Sequence, residues 1–193
     1  MKTNLLRRST PAFFLALLVG GFGFALSSTA QPPPPGNEVA ASLAGATVVD
    51  YKKLLPLLPE PPADWKAEEA EGATEEMGDA QLSSVHRDFQ KGEGDAAPTT
   101  SISILDSAAN PEYVESTQAA WAFTETTSDG YTKPVTVEGM PGFETFENEG
   151  KHGTLWLLVA KRYFLQIETT GQDVSELQTW LKKIDLKKLA EIK

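Results

Sequence analysis

The chain has 193 residues, with 27 acidic against 17 basic side chains and no cysteine. Without cysteine there is no disulfide scaffold, thiol nucleophile, Cys-ligated zinc, iron–sulfur cluster or lipid anchor on an N-terminal cysteine. The excess of acid opposes sequence-independent binding to nucleic acid or anionic lipid, which requires a positive face.

Lys2, Arg7 and Arg8 form a positive start, Ala12 to Leu26 an uncharged run, and Ser28-Thr29-Ala30 a small-residue cleavage site. This three-part pattern predicts a secretory signal over residues 1–30, cut after Ala30. The apolar run falls short of the ~20 residues a spanning helix prefers, so no stable membrane span is expected after cleavage. Removal takes away three cations and no acid, leaving 14 cations against 27 acids. About 160 residues remain, enough for one domain with a proper core. The four prolines of Gln31-Pro32-Pro33-Pro34-Pro35-Gly36 suit neither helix nor sheet, so residues 31–45 read as a stiff polyproline spacer without fixed structure.

The domain is expected over 46–193. Thr47-Val48-Val49-Asp50 has capping-box spacing, and Val48, Tyr51, Leu54 and Leu55 form a helical stripe that Pro56 and Pro59 end. Trp65 opens a short edge strand. Glu68 to Asp79 carries six acids in 12 residues and reads as a solvated loop, because the alternating ligands and fixed Gly of a Ca²⁺ loop are missing. Residues 82–90 alternate, with Val85, Arg87 and Phe89 on one side and Ser84, His86 and Asp88 on the other. Residues 91–95 turn, and Thr99 to Leu105 is a strand with Ile102 and Ile104 facing in.

Asn110-Pro111-Glu112 starts a helix whose buried stripe is Tyr113, Val114, Thr117, Ala120 and Trp121. Tyr131 to Val137 is a strand. Gly139-Met140-Pro141-Gly142 is expected to turn, Phe143 to Phe146 to extend, and Glu149 to Gly153 to turn again. Thr154 to Ala160 and Tyr163 to Thr169 should pair as a hairpin. Asp173-Val174-Ser175-Glu176 reads as a second capping box, Val174, Leu177, Leu181 and Ile184 carry that helix to the core, and Asp185 recaps a last turn. The order is helix, three strands, helix, four strands, helix. That is an α+β chain with a single antiparallel sheet and helices packed on it.

Two histidines invite chemistry. A Ser84-His86-Asp88 triad on one strand is excluded by the ~6.5 Å between alternate residues, and a polar outer strand face accounts for these side chains. His152 could meet a metal beside Glu147 or Glu149, but one histidine without a partner at helical or hairpin spacing is a weak ligand set, and a solvated turn is the simpler account. No phosphate-cradling glycine motif follows a strand. Lys182, Lys183, Lys187, Lys188 and Lys193 complement helix C-termini, with docking to an anionic surface as the alternative. Paired carboxylates for glycoside chemistry are a tertiary property that sequence leaves open.

The spacing of the elements resembles the PsbP-like superfamily, and within it the periplasmic DcrB-like proteins, over about residues 47–193. The shared marks are Pro61-Pro62-Ala63-Asp64-Trp65, three strands and the Asn-Pro-capped helix, a strand entering a Gly-x-Pro turn (Val135 to Gly142), an apolar strand pair, and an amphipathic C-terminal helix. The resemblance implies an α/β/α sandwich and a non-enzymatic role in binding or assembly in an exported compartment. It brings no catalytic residue set.

The expectation is therefore a periplasmic or secreted, non-catalytic binding or accessory protein of the cell envelope, with no catalytic, cofactor-binding or metal-binding residue assigned. Its partner is an unidentified envelope protein or small ligand, not nucleic acid. The candidate partner surface is Trp65 with the two turns carrying Met140, Pro141 and His152. An exposed Trp after a rigid proline arm suits an interface anchor, and Met suits an adaptable contact; the plainer alternative makes Trp65 core. A small hydrolase whose site forms only in three dimensions, or a purely structural envelope protein, are the alternatives.

Overall fold

The computed structural model describes residues 47–77 and 80–193; the expected signal and proline spacer lie outside them. Helix α1 (Tyr51–Leu54) runs into a 3₁₀ turn, Leu55–Leu57, where Pro56 supplies the fixed φ of a tight turn. Its cap is Asp50, whose carboxylate accepts from the Lys52 N–H, and not the hydroxyl of Thr47.

Strands β1 (Trp65–Ala67), β2 (Glu71–Met77), β3 (Ala80–Lys91) and β4 (Thr99–Asp106) follow. After helix α2 (Pro111–Ala120) come β5 (Glu125–Thr126), β6 (Gly130–Val137), β7 (Met140–Glu147), a 3₁₀ turn (Glu149–Lys151), β8 (His152–Val159) and β9 (Tyr163–Thr170). Helices α3 (Ser175–Leu181) and α4 (Leu186–Glu191) close the chain. All nine strands form one antiparallel sheet in the order β1-β3-β4-β9-β8-β7-β6-β5, with β2 sharing the outer edge of β3 with β1.

The α+β class and the single antiparallel sheet agree with the sequence reading; several local expectations are corrected. The acidic stretch is not a loop through its middle: Glu71–Met77 pairs with Ala80–His86. Glu71, Glu75 and Glu76 are exposed, and charge on an edge strand blocks further pairing. The inward Gly72 lets Tyr51 and Val85 close over the strand; a Cβ there would lie 2.7 Å from atoms of both. The β6–β7 turn is Glu138-Gly139, both with left-handed backbone, so Met140 and Pro141 belong to β7. His152 and Gly153 likewise belong to β8, not to a turn. The Asn110 side chain reaches the Gln81 carbonyl instead of capping α2, and Tyr113 and Ala120 are exposed while Val114 and Trp121 are buried. Asp173 does not cap α3; it pairs with Lys151. Asp185 caps α4 as expected.

Alternation along β9 divides the two faces. Tyr163, Leu165 and Ile167 join Ile102, Ile104, Leu155 and Leu157 in the main core, covered by Leu54 and Leu57 from the first turns and by Leu177, Trp180, Leu181 and Leu189 from α3 and α4. Phe164 and Leu158 face the other way and pack with Val114 and Trp121 of the α2 segment. Each fully buried aliphatic side chain contributes about 1.5–3 kcal/mol by leaving water, which fixes the register of every strand it sits on. Among the described residues no helix is long and apolar enough to cross a membrane.

Candidate functional site

One end of the sheet holds a cleft of about 230 Å³, lined by residues that include Trp65, Lys91, Lys151, Gln172, Asp173 and Glu176. The chain builds it from three directions. Trp65 lies opposite Lys91 across the β1–β3 pair. Lys91 is the last residue of β3, and its N–H donates to the Pro98 carbonyl just before β4. At the end of β9, Gly171 takes a left-handed φ of 70°, which swings the chain from the sheet toward α3, and its N–H donates to Gly150 of the preceding turn.

That swing tucks Gln172 under the cleft. The residue is 7% exposed. Its Nε2 donates to the Thr99 carbonyl at 2.5 Å and to Thr100 Oγ1 at 2.9 Å, so both amide hydrogens are used and the amide is fixed. Its Oε1 is buried with no hydrogen-bond partner. Native folds satisfy most buried polar atoms, so an idle acceptor beside a cleft calls for an explanation.

The charges around it are of both signs. Lys151 Nζ lies 2.7 Å from Asp173 Oδ1. Lys91 and Glu176 line the same cleft and form no ion pair with any described residue. Trp65 forms a wall: it is half-buried, set edge-on against Trp180 with ring centres 5.0 Å apart, and Trp180 also packs on Phe89. Trp65 is therefore both a core contact and part of the cleft lining.

No protein-family model, curated protein or solved structure matches the chain.

The residues expected to form one partner surface are separated. Trp65 and the turn before His152 share the cleft end, through Lys151 and the Gly171–Gly150 hydrogen bond. Met140 and Pro141 begin β7, whose far end, Glu147, lies opposite His152. They sit at the other end of the sheet, a strand length of about 23 Å away. Met140 packs against the main core. His152 faces away from the core; its Nδ1 is 3.2 Å from Thr170 Oγ1 and its Nε2 3.7 Å from Glu168. His86 lies on that same face, 3.9 Å from Glu71, and makes no hydrogen bond to Ser84 or Asp88. Among the described residues no three His, Asp or Glu side chains cluster as a metal site would require.

Two further polar groups are internal ties. Asp106, fully buried, accepts from Val49 N (2.7 Å), Ala108 N (3.0 Å), Arg162 Nε (2.8 Å) and Arg162 Nη2 (2.7 Å). Hydrogen bonding to Asp106 pushes the Arg162 guanidinium still higher than its ordinary pKa. Glu144, almost wholly buried, accepts from the Tyr131 hydroxyl at 2.7 Å and pairs with Lys133 at 3.1 Å. Burial, and then Glu144, raise the Tyr131 hydroxyl above the ordinary tyrosine range, so it stays a protonated donor at neutral pH.

Gln172, Lys91 and Glu176 were not legible as site residues. Gln172 sits in Thr170-Gly171-Gln172-Asp173 between an apolar strand and a helix, where any polar residue reads as linker. The only sequence signal is Gly171, whose turn carries the next side chain back toward the sheet.

Proposed function

We propose that this chain is an exported, non-catalytic binding or accessory protein of the cell envelope, and that it holds a small ligand or an envelope partner at the Trp65 cleft. The observation that carries the binding reading is the cleft itself, where the half-buried Trp65 forms an aromatic wall beside Lys91 and Glu176, neither of which forms an ion pair with a described residue. A site that holds a molecule without transforming it needs this: fixed polar groups and an aromatic wall. Export rests on the three-part pattern of residues 1–30. The PsbP-like α/β/α reading is supported by helices on both faces, α1, α3 and α4 on one and α2 on the other.

The test has two readouts. In its host, the protein is expected outside the cytoplasm with Gln31 as its first residue by mass spectrometry; an exported form still beginning at Met1 would replace the cleaved signal with an anchor. Purified protein screened against small metabolites is expected to gain thermal stability from one class and to return that compound unchanged. A ligand at a hundred times its Kd contributes about 2.7 kcal/mol to the folded state, a shift well within detection. A compound returned chemically altered would sink the non-catalytic reading in favour of the small hydrolase.

A further inference from the structure

We infer that the outer face of the helical layer, where the lysines of α1, α3 and α4 collect, docks the protein reversibly on a membrane surface rich in anionic lipid headgroups. The inference is independent of the Trp65 cleft.

Charge is spread unevenly along the chain. Residues 47–58 and 175–193, which supply α1, α3 and α4, carry seven lysines against four acids, whereas residues 59–174 carry seven cations against 22 acids. The positive face that the overall charge withholds is thus present locally, on the helical layer. Burial sets the lysines on its outside. Leu181, Ile184, Leu186 and Leu189 are buried in the core, and Lys182, Lys183, Lys187 and Lys188 between them are exposed. Lys53 Nζ donates to the Lys193 carbonyl at 3.1 Å, which brings α1, with the exposed Lys52 and Lys53, alongside the end of α4. None of these side chains forms an ion pair with a described residue. Two of the four acids serve the backbone instead: Asp50 accepts from the Lys52 N–H and Asp185 from the Lys188 N–H. The helix dipole does not account for the whole set. Lys182 and Lys183 follow α3, where a cation is favoured, but Lys187 stands second in α4, at the end that opposes one.

The arrangement selects the occupant. A small anion would meet one or two lysines and leave the others unanswered; an extended surface of phosphates meets them together. An α-helix with its side chains is about 10–12 Å across, so the acidic sheet stands about that far from a surface touching the helices. This exceeds the Debye length of about 8 Å at physiological salt, so repulsion of the sheet is screened while the lysines remain in contact. The large apolar side chains that are exposed among the described residues, Tyr113 and Phe123, belong to the α2 segment and not to this layer. The contact is therefore with headgroups, without insertion, and salt should release it.

The experiment is flotation of the exported protein, isolated from its host, with vesicles of equal parts phosphatidylglycerol and phosphatidylcholine, beside vesicles of phosphatidylcholine alone. At low salt the protein is expected to float with the anionic vesicles and not with the neutral ones. It is expected to be released at about 1 M salt, where the Debye length falls to about 3 Å. Each lysine removed from the face should weaken binding about fivefold, so Lys187→Gln with Lys188→Gln should cost about 25-fold. Adding Lys182→Gln and Lys183→Gln should abolish flotation. All four side chains are exposed, so the variants should keep the parent's unfolding temperature. Lys66→Gln, on β1 and paired with Glu93, controls for net charge and should bind like the parent. The inference is overturned if the anionic vesicles capture no protein, if the neutral vesicles capture as much, if the four-lysine variant floats like the parent, or if Lys66→Gln costs as much as Lys187→Gln. Lysine-dependent capture by soluble polyglutamate or duplex DNA in preference to vesicles would assign the face to an acidic macromolecule and overturn the lipid surface.

Discussion

The two ends of the central strands both bury polar side chains, and they treat them differently. At the end where β4 stops and β9 starts, Asp106 accepts four hydrogen bonds, and Arg162 adds another to the Thr47 carbonyl. The N-terminal segment, the central strands and the β8–β9 hairpin are thereby joined at one carboxylate. At the opposite end Gln172 is nearly as buried, yet its carbonyl oxygen meets no donor, and Lys91 and Glu176, on the same cleft, form no ion pair with a described residue. An unmet buried acceptor carries a desolvation penalty, so the full set of hydrogen bonds at Asp106 and the unmet Gln172 oxygen set the two ends apart; Glu115 Oε1 on α2 is likewise buried without a partner. The clamp end holds the molecule together. The cleft end is the one the proposed function uses.

The largest test of that contrast is Asp106→Ala. It would leave the Arg162 side chain, 15% exposed, without its counter-charge, and the Val49 and Ala108 N–H groups without an acceptor. Breaking a buried pair from one side costs about 3–5 kcal/mol, and urea unfolding should show a loss of that order. A loss below about 1 kcal/mol, no more than a surface ion pair is worth, would mean that the clamp does not bind these segments together. Leu181→Ala is next, at about 2–5 kcal/mol, because Leu181 sits at 4% exposure in the main core and its loss opens a cavity under α3. A cost under about 0.5 kcal/mol, the scale of an ordinary surface change, would make α3 peripheral and leave the cleft without a wall.

Much of this frame was legible from period and punctuation. Ile102, Ile104, Leu155, Leu157, Leu165 and Ile167 stand at strand period, and all are buried as expected. Val135, in the strand expected over Tyr131 to Val137, is only partly buried against the same core. Strand β2 was missed because its inward positions are Gly72 and Thr74, so no apolar alternation marks it; only the pairing with β3 and the Thr74–Ser83 hydroxyl contact place it in the sheet. The turn at Met140 was placed too late because Gly139, Pro141 and Gly142 punctuate that segment, and the turn beginning at Glu149 was carried two residues too far because Gly153 reads as its end. At the first, the actual turn uses Glu138, whose left-handed φ of 50° the sequence does not announce. Trp65 was legible as a candidate, from the proline arm before it. Its partners were not, since the cleft joins chain positions 65, 91 and 172 that only the strand order β1-β3-β4-β9 brings together.

Gln172→Leu sharpens the contrast from the other side. Leucine keeps much of the side-chain volume, removes the idle oxygen, and removes two donors at once, leaving the Thr99 carbonyl and the Thr100 hydroxyl each short of one hydrogen bond. The expected change in stability is small, about 1 kcal/mol or less. A cost close to that of Asp106→Ala would show that Gln172 pins the fold as the clamp does, and the division between a structural end and a working end would fail.

The smallest effect is confined to alkaline pH, at the clamp end. Tyr163 is fully buried, donates to the Ile192 carbonyl at 3.0 Å, and lies with its ring 5.0 Å from the Arg162 guanidinium. Burial first, and then the Asp106 charge, push its hydroxyl up to about 12. The sign follows from where the proton goes. An unfolded chain releases it near 10, the native state keeps it, and so the native state's advantage is complete below pH 10 and is lost as pH rises from there through 12. Tyrosinate absorbance should therefore show two hydroxyls that resist ionisation beyond the ordinary tyrosine range, Tyr131 and Tyr163, with Tyr163 ionising at about pH 12, and unfolding temperature should fall over the same window. Tyr163→Phe should cost about 0.5–1.5 kcal/mol at neutral pH through the lost hydrogen bond, and should flatten the fall between pH 10 and 12. If the variant keeps the parent's full alkaline slope, Tyr163 is not the group that drives it, and the clamp end is more open to water than its hydrogen bonds imply.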